Sequence, residues 1–398
     1  MVEYTGEFLN AVLSVVFVSF TIATLGYLVG GVKIKGISLG TAGVLLVALV
    51  YGVVLSYFPS FKIGEKVINL YNATIKSNYS FISNIGTALF VTAVGLIAGP
   101  KFFRTLNKNS LAYILNGLLI IVIGGITAWL FLLFDKNLSK EMVVGLLTGG
   151  LTSTPGLSSA KEVAQNQDAV VAGYGIAYLF GVLGVVLFVQ IVPRILKVDM
   201  EKERETYVAV NAVQIPEAKP GLVKLDPYGF FPFFIAIALG SIIGSFHIPG
   251  INFSLGTSGG TLVAGLLIGH FGRIGKIDCR VTKDALNFFR ELGLVLFLIG
   301  AGVPGGINFI EHVKLTYFIY GAVMTVVPMV AGFLVAKYVF KLSIFNNLGS
   351  ITGGMTSTPA LGTLISTTGT DEVASAYAAT YPIALVSVVL LSKLIILL

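Results

Sequence analysis

The sequence predicts an all-α integral membrane protein of about ten transmembrane helices plus two re-entrant hairpins, set in two inverted-topology repeats. Three observations point there. Only 11% of the 398 residues are charged, 55% are hydrophobic, and the mean hydropathy is +0.91. A soluble globular chain carries about 25% charged residues, and a disordered chain is polar, so lipid is the solvent that fits. Apolar runs of about the 20 residues that a bilayer core requires recur along the whole chain. Finally, one short motif occurs twice, each time inside an apolar segment broken by proline.

The first repeat, 1–193, holds apolar runs at 9–31, 37–57, 83–100, 112–134 and 169–193. The first run lacks a basic start and a small-residue cleavage site, so it reads as a retained span rather than a signal peptide. The runs are too long for barrel strands and do not alternate with period two, so strands are not expected. The polar stretch 58–82 is expected as an external loop. The segment 138–167 is apolar but interrupted at TGGLTSTPGL (148–157), where Pro155 removes a backbone donor and a glycine pair loosens the helix. An arm from Leu138 to Leu151 rises roughly 20 Å, about half a bilayer. The segment is therefore expected to enter, turn at a polar tip and leave.

The stretch 194–227 is hydrophilic, too short for a folded domain, and reads as a cytoplasmic linker. The second repeat, 228–398, has apolar runs at 229–247, 256–272, 291–310, 315–340 and 373–397. Its broken segment, 343–370, centres on TGGMTSTPAL (352–361) and Pro359. SLGTAG (38–43) answers SLGTSG (254–259), and Gly86, Phe90 and Gly95 answer Gly293, Phe297 and Gly302. All matches keep the same order in both halves. With both termini outside, most of the 26 Lys and Arg residues fall on the cytoplasmic side, including the cluster at 273–290. Five spans per half then invert the second repeat relative to the first, a recurring design of secondary transporters.

The paired tips carry the sharpest chemical signal. Thr152, Ser153, Thr154 and Pro155 are matched by Thr356, Ser357, Thr358 and Pro359. Each tip opens a half-helix, whose unpaired N–H groups and positive dipole end suit an anion. Proline is favoured in that first turn. The plainer alternative is that the hydroxyls only cap the half-helices. Tyr174 and Tyr178 keep step with Tyr377 and Tyr381 one turn apart, as pocket residues or as interface anchors. Ser38, Thr41, Ser254 and Thr257 are read as packing residues. Asp168 and Asp371 read as N-caps, and Lys393 as a snorkelling residue. Lys161–Glu162 has no counterpart at Ile365–Ser366.

Several chemistries lack a seat. No Walker A or HExxH pattern occurs, Cys279 is the only cysteine, and the three histidines are scattered. No enzyme activity, cofactor, metal or nucleic-acid partner is expected. At the duplicated TGG[LM]TSTP[GA]L segments, at GYLVGGVKIKGISLGTAG (26–43), at INFSLGTSGGTLVAGLLIGHFG (251–272) and at YAATYP (377–382), the chain resembles the aspartate–alanine exchanger family of bacterial and archaeal transporters. That resemblance implies antiport of small carboxylates, typically amino acids, across the cell membrane, with both termini outside. Many members carry a large cytoplasmic regulatory domain between the halves, where this chain has only 194–227. The reading that follows is a secondary active transporter of amino acids or dicarboxylates, binding the anion between the tips with alternating, elevator-like access. A Na⁺-coupled carboxylate transporter and a channel with a hairpin-built filter are the alternatives. Glycine-rich faces permit a homodimer without requiring one.

Overall fold

The computed structural model describes residues 12–32, 40–63, 66–102, 111–211, 222–248, 253–307, 309–370 and 373–398. Helices α1 (Val15–Gly31) and α2 (Ala42–Tyr57) are followed by a hairpin of β1 (Ser60–Ile63) and β2 (Lys66–Asn69). Then come α3 (Ala73–Phe102), α4 (Leu111–Phe134), the short pair α5 (Lys140–Gly150) and α6 (Thr154–Val163), and α7 (Gln167–Ile195). Helix α8 (Met200–Asn211) belongs to the linker. In the second half, α9 (Phe230–Ser245) is followed by β3 (His247–Ile248) and β4 (Phe253–Ser254). Next are α10 (Gly256–Phe271), β5 (Arg273–Ile274), β6 (Ile277–Asp278), α11 (Lys283–Ile307) and the one-turn α12 (Phe309–His312). The chain closes with α13 (Leu315–Tyr338), the short pair α14 (Ile344–Gly354) and α15 (Thr358–Thr368), and α16 (Ala374–Leu397).

Each of the ten apolar runs coincides with a helix. Six of them, α3, α4, α7, α11, α13 and α16, are long and apolar enough to cross a membrane by length and composition. Helices α1, α2, α9 and α10 have 16 or 17 residues. Large apolar side chains stand exposed along α1, α4, α9 and α13, among them Phe20, Leu118, Trp129, Phe234 and Ile319. So much outward apolar surface on a folded chain marks contact with something other than water.

Two expectations need correction. Strands do occur, as three two-stranded antiparallel pairs among the described residues. They close locally by backbone pairing, which a periodicity test over long runs does not register. The stretch 58–82 is also not one loop. It holds the β1–β2 hairpin and the first ten residues of α3, which starts at Ala73 with Asn72 Oδ1 accepting from Ile75 N at 2.9 Å. Asn is among the favoured N-caps, so a polar start to the helix is local capping chemistry.

Packing separates two groups of helices. Helices α1, α2, α3, α9, α10 and α11 form one, and α4–α7 with α13–α16 form the other. At the centre of the first group α3 and α11 cross through glycine. A Cβ on Gly86 would run into the backbone N of Phe297, and one on Gly293 into the backbone N of Phe90. Gly95 packs on Leu262 of α10, and Gly302 on Ala48 of α2. The glycines matched between the halves are thus contact points between them. Close approach of small residues is how helices associate in lipid, where no hydrophobic drive operates.

The linker returns to the body at residues 222–229. Val223 N donates to Lys276 O and Asp278 N to Val223 O, both at 2.9 Å. Asp226 then accepts from the backbone N–H groups of Tyr228, Gly229, Phe230 and Phe231 at the start of α9. Burial works against its charge, but these bonds outweigh it and hold the carboxyl below its ordinary value. Nearby, the guanidinium of Arg280 grips Asp278 through two bonds of 2.8 and 2.6 Å and holds that carboxyl down as well. Linker and basic loop therefore lie on one face. Cys279, read from sequence as a neutral loop residue, is buried there beside Phe233 and Phe289.

Candidate functional site

The two broken segments fold alike. Ser139 Oγ caps α5, accepting from Met142 N at 3.1 Å, and Ser343 Oγ caps α14, accepting from Asn346 N at 3.4 Å. Each arm ends at its glycine pair. Gly149 seats against the carbonyl of Tyr174, and Gly353 against that of Tyr377, so each arm lies flush on the long helix behind it. The chain then turns through Thr152 at φ 53° and Thr356 at φ 50°. A β-branched residue in the left-handed region is a genuine outlier, at a cost of order 1–3 kcal/mol. Ser153 N donates back to Thr148 O at 2.7 Å, and Ser357 N to Thr352 O at 3.1 Å. Pro155 and Pro359 open the returning half-helices, as the missing N–H allows.

The strained threonines hold the tips together. Thr152 Oγ1 donates to Met355 O at 3.0 Å, and Thr356 Oγ1 donates to Leu151 O at 2.8 Å. Each tip thus bonds the carbonyl of the residue that caps the other arm's C-terminus. Those carbonyls have no partner of their own helix, because a helix end leaves its last acceptors open. The clasp satisfies them in the interior: Thr152, Ser153, Thr154, Pro155, Thr356 and Ser357 are all buried.

The tips differ in detail. Ser153 Oγ accepts from Gly156 N at 3.2 Å, whereas Ser357 Oγ is buried with no hydrogen-bond partner among the described residues. Thr154 Oγ1 and the Tyr174 hydroxyl share a bond of 3.1 Å. The side chains of Thr358 and Pro359 lie outside the described residues. Tyr178 lies tilted beside Tyr174 with ring centroids 5.1 Å apart, and Tyr377 and Tyr381 repeat that spacing. Tyr174 thus joins the tip. Tyr178 adjoins it through Tyr174, and Tyr381 packs toward α3 and α10.

The structure adds a polar network that sequence reading missed. Lys393 is 1% exposed, so it does not snorkel to the surface. Its Nζ lies 2.7 Å from Glu162 Oε2 and donates to Leu255 O at 2.7 Å. The other carboxylate oxygen of Glu162 accepts from Ser258 N at 2.7 Å and Ser258 Oγ at 2.6 Å. Ser258 Oγ reaches Ser158 Oγ at 3.0 Å, which reaches Thr87 Oγ1 at 3.1 Å. The network joins α6 and α16 of one helix group to α3 and α10 of the other. Its sequence signal was a lysine in the last apolar run and an acid near the end of the first broken segment; neither shows its partner.

Two smaller readings change. The N-cap of α7 is Asn166, whose Oδ1 accepts from Ala169 N at 3.0 Å, and Asp168 sits in the first turn. Asp371 lies outside the described residues. In the SLG motifs, Gly40 and Gly256 adopt φ 55° and 65° and pack against Gly30 and Gly244. Ser38 lies outside the described residues.

Among the described residues no group of three or more His, Cys, Asp or Glu could hold a metal ion. What the arrangement offers is two half-helix starts, hydroxyls and tyrosines enclosed in an apolar bundle. Such a site can bind a small polar or anionic group through neutral donors and helix ends.

Residues 18–194 and 232–397 match the model of a family described as a predicted permease membrane region. An uncharacterized transporter of Bacteroides fragilis is 26% identical, with 95% of this chain and 97% of that protein covered. One from Bacteroides thetaiotaomicron is 26% identical with the same coverage. Another, from Desulfotalea psychrophila, is 25% identical with 96% of each covered. The Bacteroides alignments run over 539 positions, more than the 398 residues here, so these relatives carry inserted sequence. The gap in the family match, 195–231, falls at the linker.

Proposed function

The chain belongs to the family of predicted permease membrane regions, and on that footing we propose that it is a secondary active antiporter of small carboxylates, amino acids or dicarboxylates. The observation that carries the site is the reciprocal clasp between two like tips, each a half-helix start, in the interior of the bundle. Broken helices meeting in this way hold the substrate in many secondary transporters. Ser153–Pro155 and Ser357–Pro359 cradle the carboxylate, set in place by the clasp of Thr152 and Thr356, with Tyr174, Tyr178, Tyr377 and Tyr381 around it. Ser357 Oγ, buried and without a partner among the described residues, is a donor available to a bound oxygen.

The proposal includes ten spans, two re-entrant hairpins and inverted repeats. Contacts support re-entry. From Ser158 to Lys161, α6 runs back along α3 toward its N-terminal end, meeting Thr87 and then Ser83. The other hairpin ends at Gly369 beside Arg204 of the linker helix α8. The hairpins therefore open toward opposite ends of the bundle. The linker and the basic loop 273–281 share one face, which positive-inside logic assigns to the cytoplasm, leaving both termini outside the cell membrane. Movement is a slide of the hairpin group α4–α7 and α13–α16 against a scaffold. The scaffold includes α3 and α11 besides α1, α2, α9 and α10, because the glycine crossings tie all six together.

Counterflow in proteoliposomes tests the function. Labelled aspartate, alanine or succinate should enter only liposomes preloaded with unlabelled solute, and Thr154→Val with Thr358→Val should stop it. Unchanged exchange in that double variant would remove the tips from the site. Current without solute on the far side would make the protein a channel.

A further inference from the structure

A cavity of about 590 Å³ opens between the two helix groups, at the end of the bundle where the first hairpin returns. Lys161, Gln165 and Asp168 line it from the hairpin side, and Lys76, Ser80 and Pro304 from α3 and α11. Its volume is ordinary for a small-molecule site. Lys161 is the notable group. Its Nζ donates to Ser83 Oγ at 3.3 Å and lies 5.4 Å from the ring centre of Phe297. Among the described residues no carboxylate comes within ion-pair distance of it. The adjacent Glu162 is already held by Lys393 and Ser258. Asp168 in the same lining acts on Lys161 electrostatically from beyond that distance, yet Lys161 and Lys76 outnumber this acid among the lining residues, and a partly withdrawn ammonium favours an anion beside it. Lys76 adds a second cation on the opposite wall.

We propose that this cavity is a second binding site for small carboxylates, separate from the tips, with Lys161 as its anchor. The inference rests on the transport reading for its class of ligand. Because one wall belongs to each helix group, an occupant spans the surfaces that slide. Lys161 also sits on the half-helix that begins at the first tip, so it moves with that tip. The site is therefore where a carboxylate lodges on the side toward which the first hairpin opens.

The test uses the full chain and a thiol placed in the cavity wall. Ser80→Cys should react with an anionic methanethiosulfonate reagent, while the native chain, whose Cys279 is buried, serves as the blank. Succinate should protect the new thiol, and Lys161→Gln should raise the half-protecting concentration at least tenfold. Lys76→Gln should raise it less, about threefold. Absence of protection by succinate or L-aspartate at tens of millimolar would overturn the proposal, as would protection unchanged by Lys161→Gln. Protection by sulfate as strong as by succinate would also overturn it as a carboxylate site. If Lys161→Gln does not fold, Ser80→Phe takes its place in the Thr154→Val/Thr358→Val background, whose tips no longer hold succinate: it should abolish the remaining thermal stabilisation by succinate without shifting the unliganded melting temperature. Stabilisation retained there would overturn the proposal too. The tip reading fails separately, if Thr154→Val with Thr358→Val exchanges normally while protection persists. Loss of exchange in that variant, with no protection of the Ser80→Cys thiol, would sink the cavity alone.

Discussion

The two hairpins are alike at their tips and unlike at their outer ends. Both tips share the left-handed threonine and the bond to the opposite carbonyl. Beyond the tips, the first hairpin ends in Lys161–Glu162, tied to Lys393, Ser258 and Ser83, where the second has Ile365–Ser366. The difference separates two demands. A clasp between equivalent elements works only if each supplies the same donor and acceptor. The outer ends meet different neighbours on opposite faces and are free to differ. Duplicated geometry thus sits where the halves touch each other, and chemical asymmetry sits where each touches the rest of the chain.

The asymmetric end should give the largest effect. Glu162→Gln leaves Lys393 buried without its anion, and breaking a buried pair costs about 3–5 kcal/mol. A clear loss of unfolding temperature in detergent is expected, with most of it restored in Glu162→Gln/Lys393→Met. A small loss in the single variant would show the ion pair to be peripheral and weaken the contrast between the hairpin ends.

Removing the clasp comes next. Thr152→Val and Thr356→Val each delete one interhelical bond and keep the shape. Polar contacts within membrane bundles measure about 0.6–1.7 kcal/mol, well below the ion-pair figure. The two variants should lose equal stability within error in chemical unfolding. A loss in one variant more than twice that in the other would break the symmetry of the tips.

The smallest effect lies within the tips themselves. Ser153→Ala removes an N-cap bond and should cost about 1 kcal/mol. Ser357→Ala removes a hydroxyl with no partner among the described residues, so stability should stay level or rise slightly. Exchange, in contrast, should fall in Ser357→Ala if that hydroxyl meets the substrate. Equal destabilisation by both alanines would show that the second tip is capped as the first is.

Much of the fold was legible before any coordinates. All ten apolar runs carry helices, and both breaks fall at TGG–TSTP, because hydropathy, paired glycine and the missing proline donor act locally. The matched Gly86 and Gly293 read from sequence only as a sign of duplication; that they meet each other came from the structure. Less of the site was legible. The tip hydroxyls were seen as a cradle, whereas Thr152 and Thr356 spend their donors on the opposite tip. Asp168 was given the cap that Asn166 provides, since two neighbouring polar residues at a helix start cannot be ranked without backbone geometry.

The sequence alone determined the solvent, the helices and where two of them break, since each depends on residues within a few turns of one another. Tertiary structure decided which polar groups meet. Lys393 reads as a surface residue until Glu162, 231 positions away, is brought to 2.7 Å. In an apolar interior a polar group is held by its partner, and the partner's identity depends on how distant segments pack. The low charge content told that such partners would be few; only the fold told which ones they are.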